Sequence, residues 1–233
     1  MATFLELSRR VASESGTVAS DGQLATVVGQ TGRLGKIVRW TNEAWKGVQN
    51  AHGSWRWMRS TFAGQTVAGE RNYAGTDLGV ADRFGEFLCT GDVGENRFSI
   101  YLTATGVSDE GQLAFMPYDE FFVRCMRGTQ TNQKPAFFTI TPDNRLALHP
   151  IPDAIYTVRG PYRKDIQTLA ANNDTPEMPS RFHDLIADAA LEMLGVHDES
   201  AFQIPLWRLR KLRGFTDLER DQLPRLGFAG PLA

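Results

Sequence analysis

The chain has 233 residues, 42% of them hydrophobic and 22% charged, enough to bury a sizeable core as one large domain or two small ones. Its 25 Lys and Arg against 27 Asp and Glu leave a formal net charge of −2, which excludes a protein whose whole surface is an electrostatic footprint for nucleic acid. Two cysteines, Cys89 and Cys125, lack the spacing of a zinc or redox pair and are too few for a disulfide framework, so both read as buried thiols.

The opening MATFLELSRRVASES meets Glu6 and two arginines by position 10, so no cleavable secretory signal is expected. No apolar run reaches the roughly 18 residues that span a membrane, and the compartment expected is a reducing cytosol or an assembly built there. The triplet Asn173-Asp174-Thr175 then reads as a polar loop rather than a glycosylation site. Phe4, Leu7 and Val11 recur at helical spacing, with Thr3 and Glu6 placed for a capping box. Residues 16–32 are rich in Gly, Ser, Thr and Gln and read as a loop. Leu34, Ile37, Val38, Trp45 and Val48 mark a longer helix ending near His52-Gly53, where the glycine suits a left-handed cap.

Between Trp55 and Tyr162 the period changes. SWRWMRSTF, RFSIYLTA, PAFFTIT, NRLALHP and AIYTVRGPY are short, rich in β-branched and aromatic residues, and bounded by turn formers, the pattern of antiparallel strands. A short helix over residues 118–127 interrupts them. Phe138 and Ile140, Leu146 and Leu148, and Tyr156 and Val158 alternate, which predicts a meander of three consecutive strands. Thr141-Pro142-Asp143-Asn144 forms the first turn, with Asn144 able to go left-handed, and residues 150–154 form the second. Helical spacing returns after a polar linker at 172–177. Pro179 suits a first helical position, and Phe182, Leu185, Ile186, Ala189, Ala190 and Met193 form a wide apolar stripe. A second helix carries Leu206, Leu209 and Leu212 in register, with Pro205 starting or kinking it, and residues 223–233 read as an extended tail. The fold class expected is α+β: helices from both chain ends packed together, with a projecting antiparallel β region between them.

No residue pattern supplies an enzyme's equipment. Asp184, Asp188 and Glu192 share one helix face beside His183, but the Glu-x-x-His pairs of di-metal bundles are missing, so they read as an acidic stripe and no metal or other cofactor is expected. Arg208, Arg210, Lys211 and Arg213 lie on one helix; they suit that acidic stripe, in the same chain or a neighbouring copy, or DNA phosphates. The interleaved Trp55, Arg56, Trp57, Met58 and Arg59 would place Trp55 and Trp57 together on the core side of a strand rather than on a base-stacking platform. GQTGRLGK lacks the spacing of a phosphate loop, and no serine or cysteine sits in a nucleophile elbow.

The order of the segments FLELSRRVASESG, GQTGRLGKIVRWTNEAWKGVQNAHGSWRWMR, PAFFTITPDNRLALHPIPDAIYTVRGPYRK, DTPEMPSRFHDLIADAALEM and DLERDQLPRL resembles the head-to-tail adaptor, connector or gatekeeper proteins of tailed bacteriophages over nearly the whole chain. The resemblance implies a structural virion protein of the neck, assembled in the host cytoplasm without a membrane, in a closed ring of about twelve copies. Its implied partners are further copies of itself, the portal protein, a tail nozzle or tail-tube protein, possible tail fibre proteins, and double-stranded DNA that passes without specific binding. It would give residues 1–54 and 179–222 the role of a helical portal-docking platform, residues 55–178 that of a tail-facing β region, and residues 223–233 that of a tail laid along the portal. The contact residues expected are Asp184, Asp188, Glu192, Arg208, Arg210, Lys211, Arg213, Leu223, Leu226 and Phe228. The segment 200–215, broken by Pro205, departs from the smooth helix the resemblance implies. The competing readings are a DNA-binding protein using the basic helix 206–213 and a small hydrolase, which would need a pocket of convergent titratable groups.

Overall fold

The computed structural model describes residues 1–18, 24–80, 83–89, 97–199 and 202–223. In chain order the elements are α1 (Phe4–Glu14), α2 (Gly32–Asn50), β1 (Arg59–Gln65), β2 (Asn72–Tyr73), β3 (Phe84–Phe87), β4 (Phe98–Leu102), β5 (Gly111–Phe115), α3 (Tyr118–Cys125), β6 (Phe137–Ile140), β7 (Leu146–His149), β8 (Tyr156–Lys164), α4 (Asp184–His197) and α5 (Ile204–Gln222). The fold is mixed α+β, and the chain divides into two compact units: residues 1–57 with those from 166 onward, and residues 58–165.

In the helical unit, α1 begins with the capping box that its sequence predicts: Glu6 N donates to Thr3 Oγ1 at 3.2 Å and Thr3 N to Glu6 Oε2 at 2.8 Å. A cap of this kind stabilises a helix by about 1 kcal/mol. Phe4, Leu7 and Val11 are buried against the other helices. The centre is α4, which packs on α1, α2 and α5. A helix surrounded on three sides must be apolar nearly all round, and Leu185, Ile186, Ala187, Ala190, Leu191 and Leu194 are all buried. At Gly195 an added Cβ would come within 2.7 Å of the Trp207 ring, so glycine there lets α5 approach α4. The helix continues through Gly195 to His197.

Several boundaries differ from the sequence reading. Residues 166–178, expected with the β region, belong to the helical unit. Gln167 and Gln49 exchange hydrogen bonds of 2.7 and 2.9 Å, Leu169 N donates to Asn42 Oδ1 at 3.0 Å, and Phe4 N donates to the Asp174 carbonyl at 2.7 Å. Pro179 precedes a 3-10 turn, Ser180–Phe182, and α4 starts only at Asp184. Pro205 lies in the first turn of α5, where its missing N–H costs nothing, so it starts the helix without kinking it. Gly53 has no left-handed backbone, because α2 ends at Asn50 with Ala51 still right-handed. Trp55 and Trp57 are not strand residues: Arg56–Met58 is a 3-10 turn and β1 starts at Arg59, while the two indoles stack 4.6 Å apart inside the helical unit.

The β unit is one eight-stranded sheet in the order β1-β8-β4-β5-β6-β7-β2, with β3 also pairing β8. It is not a meander. β6 and β7 pair antiparallel as expected, across a turn in which Asn144 takes φ 57°, but β7 and β8 are not neighbours. Instead β8 holds β1 along one edge and β4 and β3 in succession along the other. Nor is the sheet wholly antiparallel, because β5 and β6 run parallel and α3, which ends at Cys125, forms the crossover between them. The core faces one side of this sheet: Phe62, Phe87, Phe98, Ile100, Phe138, Leu146, Leu148 and Val158 with Leu78 and Tyr73. Phe98 and Phe138 stack at 4.5 Å, and Phe62 lies 5.8 Å from Phe98. α3 seals the opposite face, where Phe121 and Cys125 pack on Ala147. At Gly64 a Cβ would sit 2.4 Å from Leu78 Cα, so only glycine admits that turn against β1.

Candidate assembly surfaces

The acidic and basic stripes meet within the chain. Glu192 accepts Arg208 Nε at 2.7 Å and Lys211 Nζ at 2.8 Å, joining α4 to α5. Burial pushes the Glu192 carboxyl up, but the hydrogen bonds from Lys211 and Arg208 outweigh it and hold the group below the ordinary carboxylate value. Arg10 of α1, absent from the candidates read from sequence, forms the other centre: its guanidinium contacts Asp184, reaches Asp188 Oδ1 at 3.4 Å and donates to Glu14 Oε1 at 2.7 Å. Burial pushes the Asp188 carboxyl up, with Arg10 partly offsetting it. Arg210 bonds Glu14 at 3.2 Å. Three of the four α5 bases read from sequence as contact candidates, Arg208, Arg210 and Lys211, therefore face carboxylates of their own chain. Arg213 is exposed and forms no ion pair among the described residues. Leu223 is half-buried just past α5, its N–H donating to the Glu219 carbonyl at 2.9 Å, whereas Leu226 and Phe228 lie outside the described residues. His183, beside the acidic stripe, is no metal ligand: it is buried, with Nε2 3.0 Å from the Met178 carbonyl and Nδ1 3.2 Å from Ala2 N.

The predicted apolar register of α5 is real in spacing but faces outward. Leu206, Leu209 and Leu212 are about half exposed, and Phe202, just before the helix, is 96% exposed. The inward face is a second stripe, with Trp207 and Leu218 buried and Phe215 half-buried. Met193 and Val196 of α4 are also exposed. Beside them a groove of about 390 Å³ runs between α2, α4 and α5, lined by Ala44, Gly47, Ala51, Met193, Leu212 and Phe215, among others. In the β unit, Phe122 and Val123 on the outer face of α3 and Phe115 and Phe137 on β5 and β6 are exposed. Each unit thus carries large apolar side chains left in water, and such patches mark contact surfaces more often than scattered apolar residues do.

Among the described residues no group of three or more His, Cys, Asp or Glu is placed to hold a metal ion, and no helix is long and apolar enough to cross a membrane. Burial, and then the nearby Arg71, pushes His149 down.

The sequence profile of the SU10 adaptor protein family matches residues 2–231 of the chain. No curated protein matches it.

Proposed function

The chain belongs to the SU10 adaptor protein family of phage structural adaptors, and on that premise we propose that it forms a closed ring between the portal protein and the tail nozzle, extending the channel through which double-stranded DNA passes. The observation that carries this reading is the family match, which covers nearly the whole chain. Large apolar side chains left exposed on both units support it, because permanent interfaces are built from such residues. The helical elements at 1–54 and 179–222 would dock the portal, the β region would meet the tail, and residues 223–233 would lie along the portal. Rigid walls suit this use, and the prolines in the turns and at the start of α5 reduce the freedom of the unfolded chain.

The DNA-binding alternative draws little support from α5. Bases already bonded to Glu192 and Glu14 release fewer counterions on meeting phosphates than free ones. A channel wall should not grip DNA. Electron microscopy and mass measurement of the protein mixed with its portal test the proposal, run beside a DNA titration at two salt concentrations. A ring or portal-bound assembly without DNA retardation is the expected result. A monomer that ignores the portal and binds DNA with a steep salt dependence overturns it.

A further inference from the structure

We propose that the groove between α2, α4 and α5 receives Phe202 of a neighbouring copy, so that helical units join head to tail; this rests on the ring reading above and names its lateral contact. The groove wall holds a residue that the isolated chain does not explain. Gly47 sits within α2, where glycine is a poorer helix former than alanine. Its backbone is not left-handed, and a Cβ there would meet no atom within 4 Å. Neither conformation nor crowding within the chain requires glycine. The open space in front of it is the groove, whose volume of about 390 Å³ admits a phenyl ring between Ala44, Ala51, Met193 and Phe215.

Phe202 is the most exposed large hydrophobic residue among those described, at 96%, and so does not fill the groove of its own chain. Charge favours the pairing. Glu199, three residues before Phe202, is exposed and has no ion pair among the described residues. Lys211 lines the groove and shares the single carboxylate of Glu192 with Arg208 of the same helix, an excess of one positive charge. A negatively flanked knob and a positively flanked hole on different parts of one surface form a heterologous contact, the kind that closes into a ring.

The test uses the full chain mixed with its portal. Gly47→Leu fills the groove while improving helix propensity, so its circular dichroism and unfolding midpoint should match or exceed the parent's. Ring yield should nevertheless fall about tenfold or more, and Phe202→Ala should reduce it similarly, as expected for a central apolar anchor. A chain carrying both Phe202→Cys and Ala51→Cys, oxidised after assembly, should give a ladder of disulfide-linked multimers beyond the dimer, while either single variant gives none. Normal ring yield from folded Gly47→Leu, intact rings without linkage, a ladder that stops at the dimer, or linkage of the Ala51→Cys variant to the portal each overturns the proposal. If the parent chain itself forms no ring, the ring reading fails and takes the contact with it. Intact rings whose cysteines stay unlinked overturn the groove contact alone.

Discussion

All five tryptophans lie in the helical unit, and all five tyrosines and both cysteines lie in the β unit. The division follows two ways of holding a fold together. The helical unit ties α1, α4 and α5 with charge, through Arg10, Glu14, Asp184, Asp188, Glu192, Arg208, Arg210 and Lys211, and leaves leucines outside. The β unit encloses Phe62, Phe87, Phe98 and Phe138 in one aromatic core, and its ion pairs among the described residues are at least partly exposed. Helices present few broad faces, so α5 must turn one away from α4. The separation also gives each unit its own chromophore, so tryptophan fluorescence follows one and tyrosine absorbance, resolved from tryptophan in second-derivative spectra, follows the other.

The largest effect is expected in the β core. Phe98 is fully buried among Phe62, Phe87 and Phe138, and Phe98→Ala should cost about 3–5 kcal/mol. The tyrosine-monitored transition in denaturant should move to much lower concentration while the tryptophan transition stays near the parent's. Equal movement of both would show that the units unfold as one cooperative system and would break the comparison.

Next is the charge network. Arg10→Met leaves Asp184 and Asp188 without their cation, and Asp188 is buried. A loss of about 1–3 kcal/mol is expected, below that of a fully buried pair because Arg10 is partly exposed. Asp188→Asn added to Arg10→Met should recover part of it, since the uncompensated charge is then gone. Both are read from tryptophan fluorescence. If Arg10→Met leaves the midpoint unchanged, the helical unit is held by packing alone and the contrast with the β unit disappears.

These differences mark what was legible beforehand. Local features were: Thr3 and Glu6 as a capping box, Asn144 in a left-handed turn, and the buried Phe4, Leu7 and Val11 each depend on neighbours within a few residues. The neighbours of β8 were not legible, because alternation tells which face of a strand is buried and nothing about the strand beside it. A signal for the parallel pair existed, since α3 stands between β5 and β6 and a helix between adjacent strands permits a crossover. On α5 two apolar stripes competed, Leu206-Leu209-Leu212 and Trp207-Phe215-Leu218. The second won because Trp207 packs at Gly195. For the candidate surface, the match of Glu192 to Arg208 and Lys211 was readable from opposite charge on consecutive helices. Arg10 was not, because it lies 178 residues from Asp188 and only tertiary packing brings them together.

Alkali should separate the units more gently. Burial, then the hydrogen bond with Asp153, raises Tyr156 from 10.0 to about 12, and burial also pushes up Tyr73 and Cys125. With a folded pKa above the unfolded one, the stability from Tyr156 is complete below pH 10.0 and is lost as pH rises towards about 12. Tyr156→Phe should flatten this part of the alkaline decline in the β-unit midpoint, followed by tyrosine absorbance from the remaining residues. An unchanged decline would place the sensitivity elsewhere.

Acid gives the smallest effect, and it sits in the helical unit. Hydrogen bonds from Arg33 and then His197 hold Asp198 at about 2 instead of 3.8, with Arg33 Nη1 3.1 Å from Oδ1. Because the folded pKa is depressed, this contribution is complete above pH 3.8 and lost as pH falls towards about 2. Asp188 works in the opposite direction, since its raised pKa makes the folded state the better proton acceptor as acid is added. The unit's overall acid profile therefore mixes two signs, and only a difference measurement isolates either. Asp198→Asn should lower the tryptophan-monitored midpoint above pH 3.8 by the equivalent of about 0.2–1 kcal/mol, as for a partly exposed pair, and the two curves should converge near pH 2. Trp40 lies 5.1 Å from His197 and reports the site directly. A gap that persists unchanged to about pH 2 would mean that the amide introduced by Asp198→Asn disturbs packing rather than removing an ion pair, and the acid limb would then belong to Glu192.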